Sequence, residues 1–421
     1  MFDLDHLQEI WIALSRNRLR TFLTAFGVFW GIFLLVVLLG SGQGLKNGVN
    51  QGFSAIATNS FFVWGQRTSK PWAGLPAGRE VEFTDADTAA MRREVEGARV
   101  IAPRLQLGGW RGGATATRGT ESGAFTVMGD VPEIQTIQSL LVDRGRFLNP
   151  IDLEDKRKVA VLGTRSVEVL FPEGDDPVGQ TVDINGVVFR VVGTFRSRAS
   201  GGNAERDAET IFVPFTTFQQ AFNAMNEVHW YAVTVADDVS ATEAQEAALA
   251  LLRKRHKVAP DDRRGIGSFN LAEEFAKVQG LFTGIRLLMW IVGIGTLAAG
   301  AIGVSNIMLI VVRERTKELG LRRAVGATPW KVMTQIVIEA VLLTAVAGCL
   351  GLAAGVGVME VVSSLLPQGG GDAPSMFINP GVRIGDATRA LLILIGAGAL
   401  AGMLPARRAV SVSPIVALRS E

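Results

Sequence analysis

The sequence predicts a polytopic α-helical membrane protein: four transmembrane helices, with a large α+β extracytoplasmic domain inserted between helices 1 and 2. Three observations carry that reading. Of the 421 residues, 48% are hydrophobic and mean hydropathy is positive, too apolar for an ordinary soluble chain of this length. The apolar residues gather in four runs, at 22–39, 287–312, 332–362 and 390–404, comparable to the ~20 residues that cross a bilayer. Between the first two runs the pattern changes to short β-branched stretches and turns. A net charge of +2 implies no nucleic-acid partner.

Residues 1–20 read as an amphipathic helix on the cytoplasmic face, with Leu4, Leu7, Trp11 and Leu14 on one side against membrane lipid. Transmembrane helix 1 follows over 21–44. Acids before it (Asp3, Asp5, Glu9) and the lack of an A-x-A site after Leu39 argue against a cleaved signal peptide.

The segment 45–279 is the α+β domain. Runs 158–163, 187–193 and 209–214 read as strands, and Asn185-Gly186 between two such runs is a hairpin signal. Helices are expected over 85–96, 216–223 and 241–256, and the polar, glycine-bearing stretch 197–207 as a mobile insertion. The domain has no cysteine to form a disulfide, so its own core must hold it together. No catalytic or metal-binding spacing appears in it. His229 lies in a strand-like run, and His256 follows Arg253, Lys254 and Arg255 at what reads as a solvated helix end. The paired aspartates at 175–176 and 261–262 fall in turns. The chain is not expected to be an enzyme.

Transmembrane helix 2 spans 280–312. Its 26 uncharged residues from Leu287 extend about 40 Å against a hydrocarbon core of ~30 Å, so it must tilt or project. A loop over 313–328 follows, in a segment where six basic residues up to Lys331 face two acids, Glu314 and Glu318. Leu321, Ala324 and Val325 fall at i, i+3, i+4 on one stripe of a short helix. Gly326 suits its C-terminal cap, and Thr328-Pro329 the start of the next helix. The loop reads either as a rigid docking helix or as a solvated basic turn that sets topology.

Transmembrane helix 3 spans 329–366, a short outer loop 367–386, transmembrane helix 4 387–406, and a cytoplasmic tail 407–421. Arg16, Arg18 and Arg20 precede helix 1, and Arg407, Arg408 and Arg419 follow helix 4. Under the positive-inside rule both termini are cytoplasmic. Glu339, the intramembrane acid of helix 3, is a candidate functional group. Its alternative is an interfacial carboxylate paired with Arg323 or Arg20. Three G-x-x-x-G pairs, Gly27/Gly31, Gly351/Gly355 and Gly398/Gly402, suit close helix packing within the chain or across a dimer. The single cysteine, Cys349, reads as a small packing residue beside Gly348 and Gly351.

The order of one span, a large outer domain and three spans joins ERTKELGLRRAVGATPWKVMTQIVIEAVLLTAVAGCLGLAAG and the C-terminal LPARRAVSVSPIVAL. Together they resemble the ABC-type permeases of the MacB/FtsX family. RNRLRTFLTAFGVFWG is similar to that family's lead-in and first span. The stretch from GRFLNPIDLEDKRKVAVLG to VVFRVVGTF is similar to its periplasmic core domain. The resemblance implies a bacterial inner-membrane protein whose helix at 316–325 couples to a cytoplasmic ABC ATPase, through Arg315, Glu318, Leu321, Arg322 and Val325. It also implies two permease copies or paralogues, ATP-driven movement of the outer domain, and a periplasmic adaptor with an outer-membrane duct. The sequence has no GK dipeptide and hence no Walker A loop. ATP and Mg are therefore expected on a separate ATPase subunit, with no cofactor in this chain. The leading function is export from the periplasm. Mechanical control of a cell-wall hydrolase, lipoprotein extraction and a plain membrane-anchored binding module are the competing readings.

Overall fold

A computed structural model of the chain describes residues 18–53, 56–108, 113–198, 202–366 and 377–411. The expected amphipathic helix over 1–20 and most of the tail lie outside these residues, as does the Arg20 side chain. Two compact units divide between residues 48 and 49 and between 279 and 280.

In chain order the elements are α1 (Arg18–Phe53), β1 (Ser60–Gly65), α2 (Asp85–Glu94), β2 (Ala98–Leu107), β3 (Ala114–Arg118) and β4 (Glu121–Asp130). There follow α3 (Ile134–Ile137), β5 (Leu140–Gly145), α4 (Pro150–Glu154), β6 (Val159–Gly163), α5 (Thr164–Leu170) and β7 (Thr181–Ile184). Next come β8 (Val187–Ser197), α6 (Gly202–Ala208), β9 (Thr210–Pro214), α7 (Phe215–Ala221), β10 (Trp230–Val235) and α8 (Ala241–Arg255). The chain continues with β11 (Ile266–Asn270), α9 (Leu271–Glu314), α10 (Thr316–Ala324), α11 (Pro329–Leu365) and α12 (Ile384–Ser411).

The α/β unit has two sheets sharing one long strand. β11, β1, β10 and β2 lie side by side, all antiparallel. With α2 and α8 as connections, this is a split β-α-β arrangement with an insertion between β2 and β10. The insertion runs β4-β3-β7-β8-β6-β9, and the parallel pairing of β9 with β4 closes the ring. Closure satisfies the backbone groups that an open edge would expose. β2 joins the two: Ala98 to Arg104 pair with β10, and Leu105 to Leu107 with β4. At that junction Arg104 and Asp130 form a buried ion pair at 2.7 Å. The hairpin at Asn185-Gly186 has φ of 48° and 86°, both positive as a type I′ turn requires.

Two expectations for this unit are corrected. Of the stretch 197–207, the described residues 202–207 belong to α6 rather than to a loop, and the Ser197 hydroxyl donates to Asp207. His256 and Arg255 are not a solvated helix end. Both engage the buried Asp87, with His256 Nε2 2.8 Å from its carboxylate. The acid from α2 was invisible to a reading confined to α8.

In the membrane unit, α1, α9, α11 and α12 are each long and apolar enough to cross a bilayer. The chain is therefore a multi-pass membrane protein. Its core joins Leu35 and Val36 of α1, Val304 of α9, Ala340 of α11 and Ala406 of α12. Leu287, Ile291, Leu350 and Leu392 remain on the outside, where lipid is their natural solvent.

Glycines set the helix order. A Cβ at Gly31 would lie 3.5 Å from the Thr296 backbone of α9. One at Gly351 would lie 2.5 Å from the Phe29 carbonyl of α1, and one at Gly355 2.7 Å from Val36. A Cβ at Gly398 would collide with the Thr344 side chain of α11, and one at Gly402 would lie 2.9 Å from Ala340 of the same helix. Within the chain α9, α1, α11 and α12 thus pack in succession through small residues. Gly27 differs, with nothing within 4 Å of its Cβ position. Cys349 does not pack beside its glycine neighbours; it is exposed, because Gly348 and Gly351 hold the faces toward α12 and α1.

Candidate functional site

The loop between α9 and α11 is built as a rigid bracket. α9 ends at Glu314 and α10 starts two residues later. At the far end of α10, Ala327 N–H donates to the Arg322 carbonyl and Gly326 N–H to that of Arg323. This is the Schellman pattern, which needs a left-handed residue after the cap. Gly326 supplies it with φ of 107°. The chain then turns at once into α11, where Thr328 accepts from the Lys331 N–H and Pro329 takes the first turn.

Three arginines fix α10 to the bundle. Arg315 Nη1 lies 3.5 Å from Glu339 of α11, Arg322 donates to the Gln335 side chain of α11 at 3.1 Å, and Arg323 donates to the Val410 carbonyl of α12 at 2.7 Å. Leu319 and Gly320 face inward and are buried. That leaves the opposite stripe to solvent: Leu321 is 55% exposed, Val325 82%, and Trp330 at the start of α11 70%. Lys317, Glu318 and Ala324 surround them, also exposed.

The structure thus brings together the five residues assigned to coupling, but in two groups. Leu321, Val325 and Glu318 point outward; Arg315 and Arg322 are engaged within the chain, although Arg315 also lies 3.7 Å from Glu318. The Glu339 side chain is only 10% exposed and lies 3.5 Å from Arg315, a neighbour the sequence reading did not name. An i,i+24 pairing across two helices has no local signature, so sequence could not select it. Trp330 was missed as well, because it stands one residue beyond the proline that marks a new helix. Among the described residues no cluster of three or more His, Cys, Asp or Glu is placed to hold a metal.

The MacB-like periplasmic core domain family matches residues 21–251, more than half of the chain, and the FtsX-like permease C-terminal family matches 290–414. The chain belongs to the MacB/FtsX family of ABC-type permeases. This permease is 27% identical, over 99% of its length and 62% of the relative's, to the macrolide export ATP-binding/permease protein MacB of Bdellovibrio bacteriovorus. It is 31% identical, over 99% of its length and 60% of the relative's, to the pyoverdine export ATP-binding/permease protein PvdT of Pseudomonas putida. It therefore spans about three-fifths of the length of the curated relatives it matches. Among solved structures, the periplasmic region of MacB from Actinobacillus actinomycetemcomitans is similar at 17% identity and a TM-score of 0.43, covering 54% of this chain and 95% of that one.

Proposed function

We propose that this permease is the membrane subunit of a MacB-type exporter in the bacterial inner membrane, with both termini cytoplasmic. ATP and Mg are bound by a separate ABC ATPase subunit. Its closure is transmitted through α10 to the spans and the α/β unit, in an assembly with a second permease copy. Cargo is taken on the periplasmic side and passed through an adaptor and an outer-membrane duct.

The observation that carries this reading is the solvent-facing pair Leu321 and Val325 on a short helix that three arginines tie to the bundle, with Trp330 also exposed at the start of α11. An apolar patch on a basic, cytosol-type loop has no reason to face water unless a partner covers it. A rigid bracket transmits displacement, whereas a loose loop absorbs it. Membership of the permease family and relatives named for export support export as the reaction class.

Leu321→Asp tests the coupling surface. The variant should insert and fold, because Leu321 touches little of its own chain, yet ATPase co-purification and permease-stimulated hydrolysis should be lost. Unaltered association and activity would show that the ATPase docks elsewhere. A pull-down from native cells tests the rest: an adaptor and duct accompany an exporter, whereas a peptidoglycan hydrolase would overturn export in favour of mechanical regulation.

A further inference from the structure

A second polar site lies in the membrane unit, away from α10. A cavity of 90 Å³ opens among α1, α9 and α12, lined by Gln43, Lys46, Arg286 and Asp386 over an apolar floor that includes Leu39 and Met289. One water needs only ~10–15 Å³ on this measure, so the space admits a polar group of several heavy atoms. Its depth is set by the sequence. The apolar run of α1 ends at Leu39 and that of α9 begins at Leu287, which places the cations just beyond the hydrocarbon, at the level of lipid headgroups.

The charges are incomplete as they stand. Neither Lys46 nor Arg286 makes a side-chain hydrogen bond or ion pair with any described residue. Asp386 is only 8% exposed, and its ion partner, Arg389 on the same helix, stands off at 3.7 Å with its own side chain 70% exposed. Among the described residues, two cations without a side-chain partner and one buried carboxylate with a distant partner thus line a single cavity. Basic pockets between transmembrane helices suit phosphate headgroups. A carboxylate beside them disfavours a purely anionic head and favours one that carries its own cation.

We propose that this cavity binds the headgroup of a phospholipid bearing a phosphodiester and a primary ammonium. The phosphate lies on Lys46 and Arg286, and the ammonium donates to Asp386. A quaternary ammonium has no N–H to donate, so a choline head fits the charge pattern but not the hydrogen bonds. A glycerol head leaves Asp386 facing the phosphate unrelieved. Bound in this way, one lipid ties together three helices of the bundle, and it does so without reference to the ATPase-facing loop.

The test is native mass spectrometry of the full chain in mild detergent, with phosphatidylethanolamine, phosphatidylcholine and phosphatidylglycerol of matched acyl chains added in equal amounts. Phosphatidylethanolamine should be retained about tenfold better than either competitor, as expected for charge-assisted hydrogen bonds in a half-buried site. Lys46→Ala with Arg286→Ala should reduce its retention to the level of phosphatidylcholine. Asp386→Asn should remove the preference over phosphatidylglycerol. Equal retention of the three lipids by the unaltered protein, or best retention of phosphatidylglycerol, overturns the proposal without relying on any variant. A phosphatidylethanolamine preference that survives the double substitution places the lipid elsewhere and overturns it equally.

Discussion

Gly351→Ala isolates the contact on which the bundle depends. The added methyl would sit 2.5 Å from the Phe29 carbonyl oxygen and 3.2 Å from its carbon. Both atoms are backbone, so no side chain can swing aside, and α1 and α11 must separate by about 1 Å to recover van der Waals distance. Overpacking of this kind costs ~1–3 kcal/mol. Alanine is also intrinsically a better helix former than glycine by ~1 kcal/mol, which partly offsets the loss and must be controlled. Gly357 provides the control on the same helix, since nothing lies within 4 Å of its Cβ position. Gly357→Ala should therefore be neutral or slightly stabilising. The two variants should differ by about 1–3 kcal/mol in reversible unfolding by sodium dodecyl sulfate titration, followed by tryptophan fluorescence in mixed micelles. Equal stabilities would mean that the close approach of α1 and α11 is not what holds the bundle, and the helix order argued from glycine contacts would fall with it.

Other consequences are equally direct. Asp130→Ala leaves Arg104 buried without its acid and should cost about 3–5 kcal/mol in denaturant titration, whereas an apolar replacement of both residues should largely restore stability. Burial by itself would raise the Asp87 pKa, but hydrogen bonds from His256, Arg255 and Thr84 outweigh it and hold the carboxyl well below its ordinary 3.8. A depressed folded pKa means that the unfolded chain binds the proton more tightly, so this stabilisation is complete above about pH 4 and lost as pH falls below it. Asp87→Asn should flatten that acid limb in thermal melts of the full chain at pH 3 to 5, and an unchanged limb would exclude Asp87 as its source. Gly326→Ala forces a side chain onto φ of 107° and should lower stability by about 1 kcal/mol or more, with weakened ATPase stimulation as the functional readout.

What the sequence determined by itself is what depends on neighbours along the chain. Four spans follow from uninterrupted apolar length, and α1, α9, α11 and α12 cover them. The turn at Asn185-Gly186 and the bracket ends at Gly326 and Thr328 follow from residues able to adopt positive φ or to cap a helix, and those conformations are present. The apolar stripe of α10 was equally legible, since i, i+3, i+4 spacing is a property of nine consecutive residues. Only the tertiary structure decided which way that stripe faces. Leu319 and Gly320 turn inward because Arg315, Arg322 and Arg323 find partners on α11 and α12, and Leu321 is left outside. It likewise separated Gly31, packed against α9, from Gly27, packed against nothing, and gave Asp87 to His256. The closing of β9 onto β4 and the meeting of Lys46, Arg286 and Asp386 in one cavity belong to the same class. In each case the deciding energy lies between residues distant in sequence, and no periodicity or local propensity records which of many distant partners a side chain will meet.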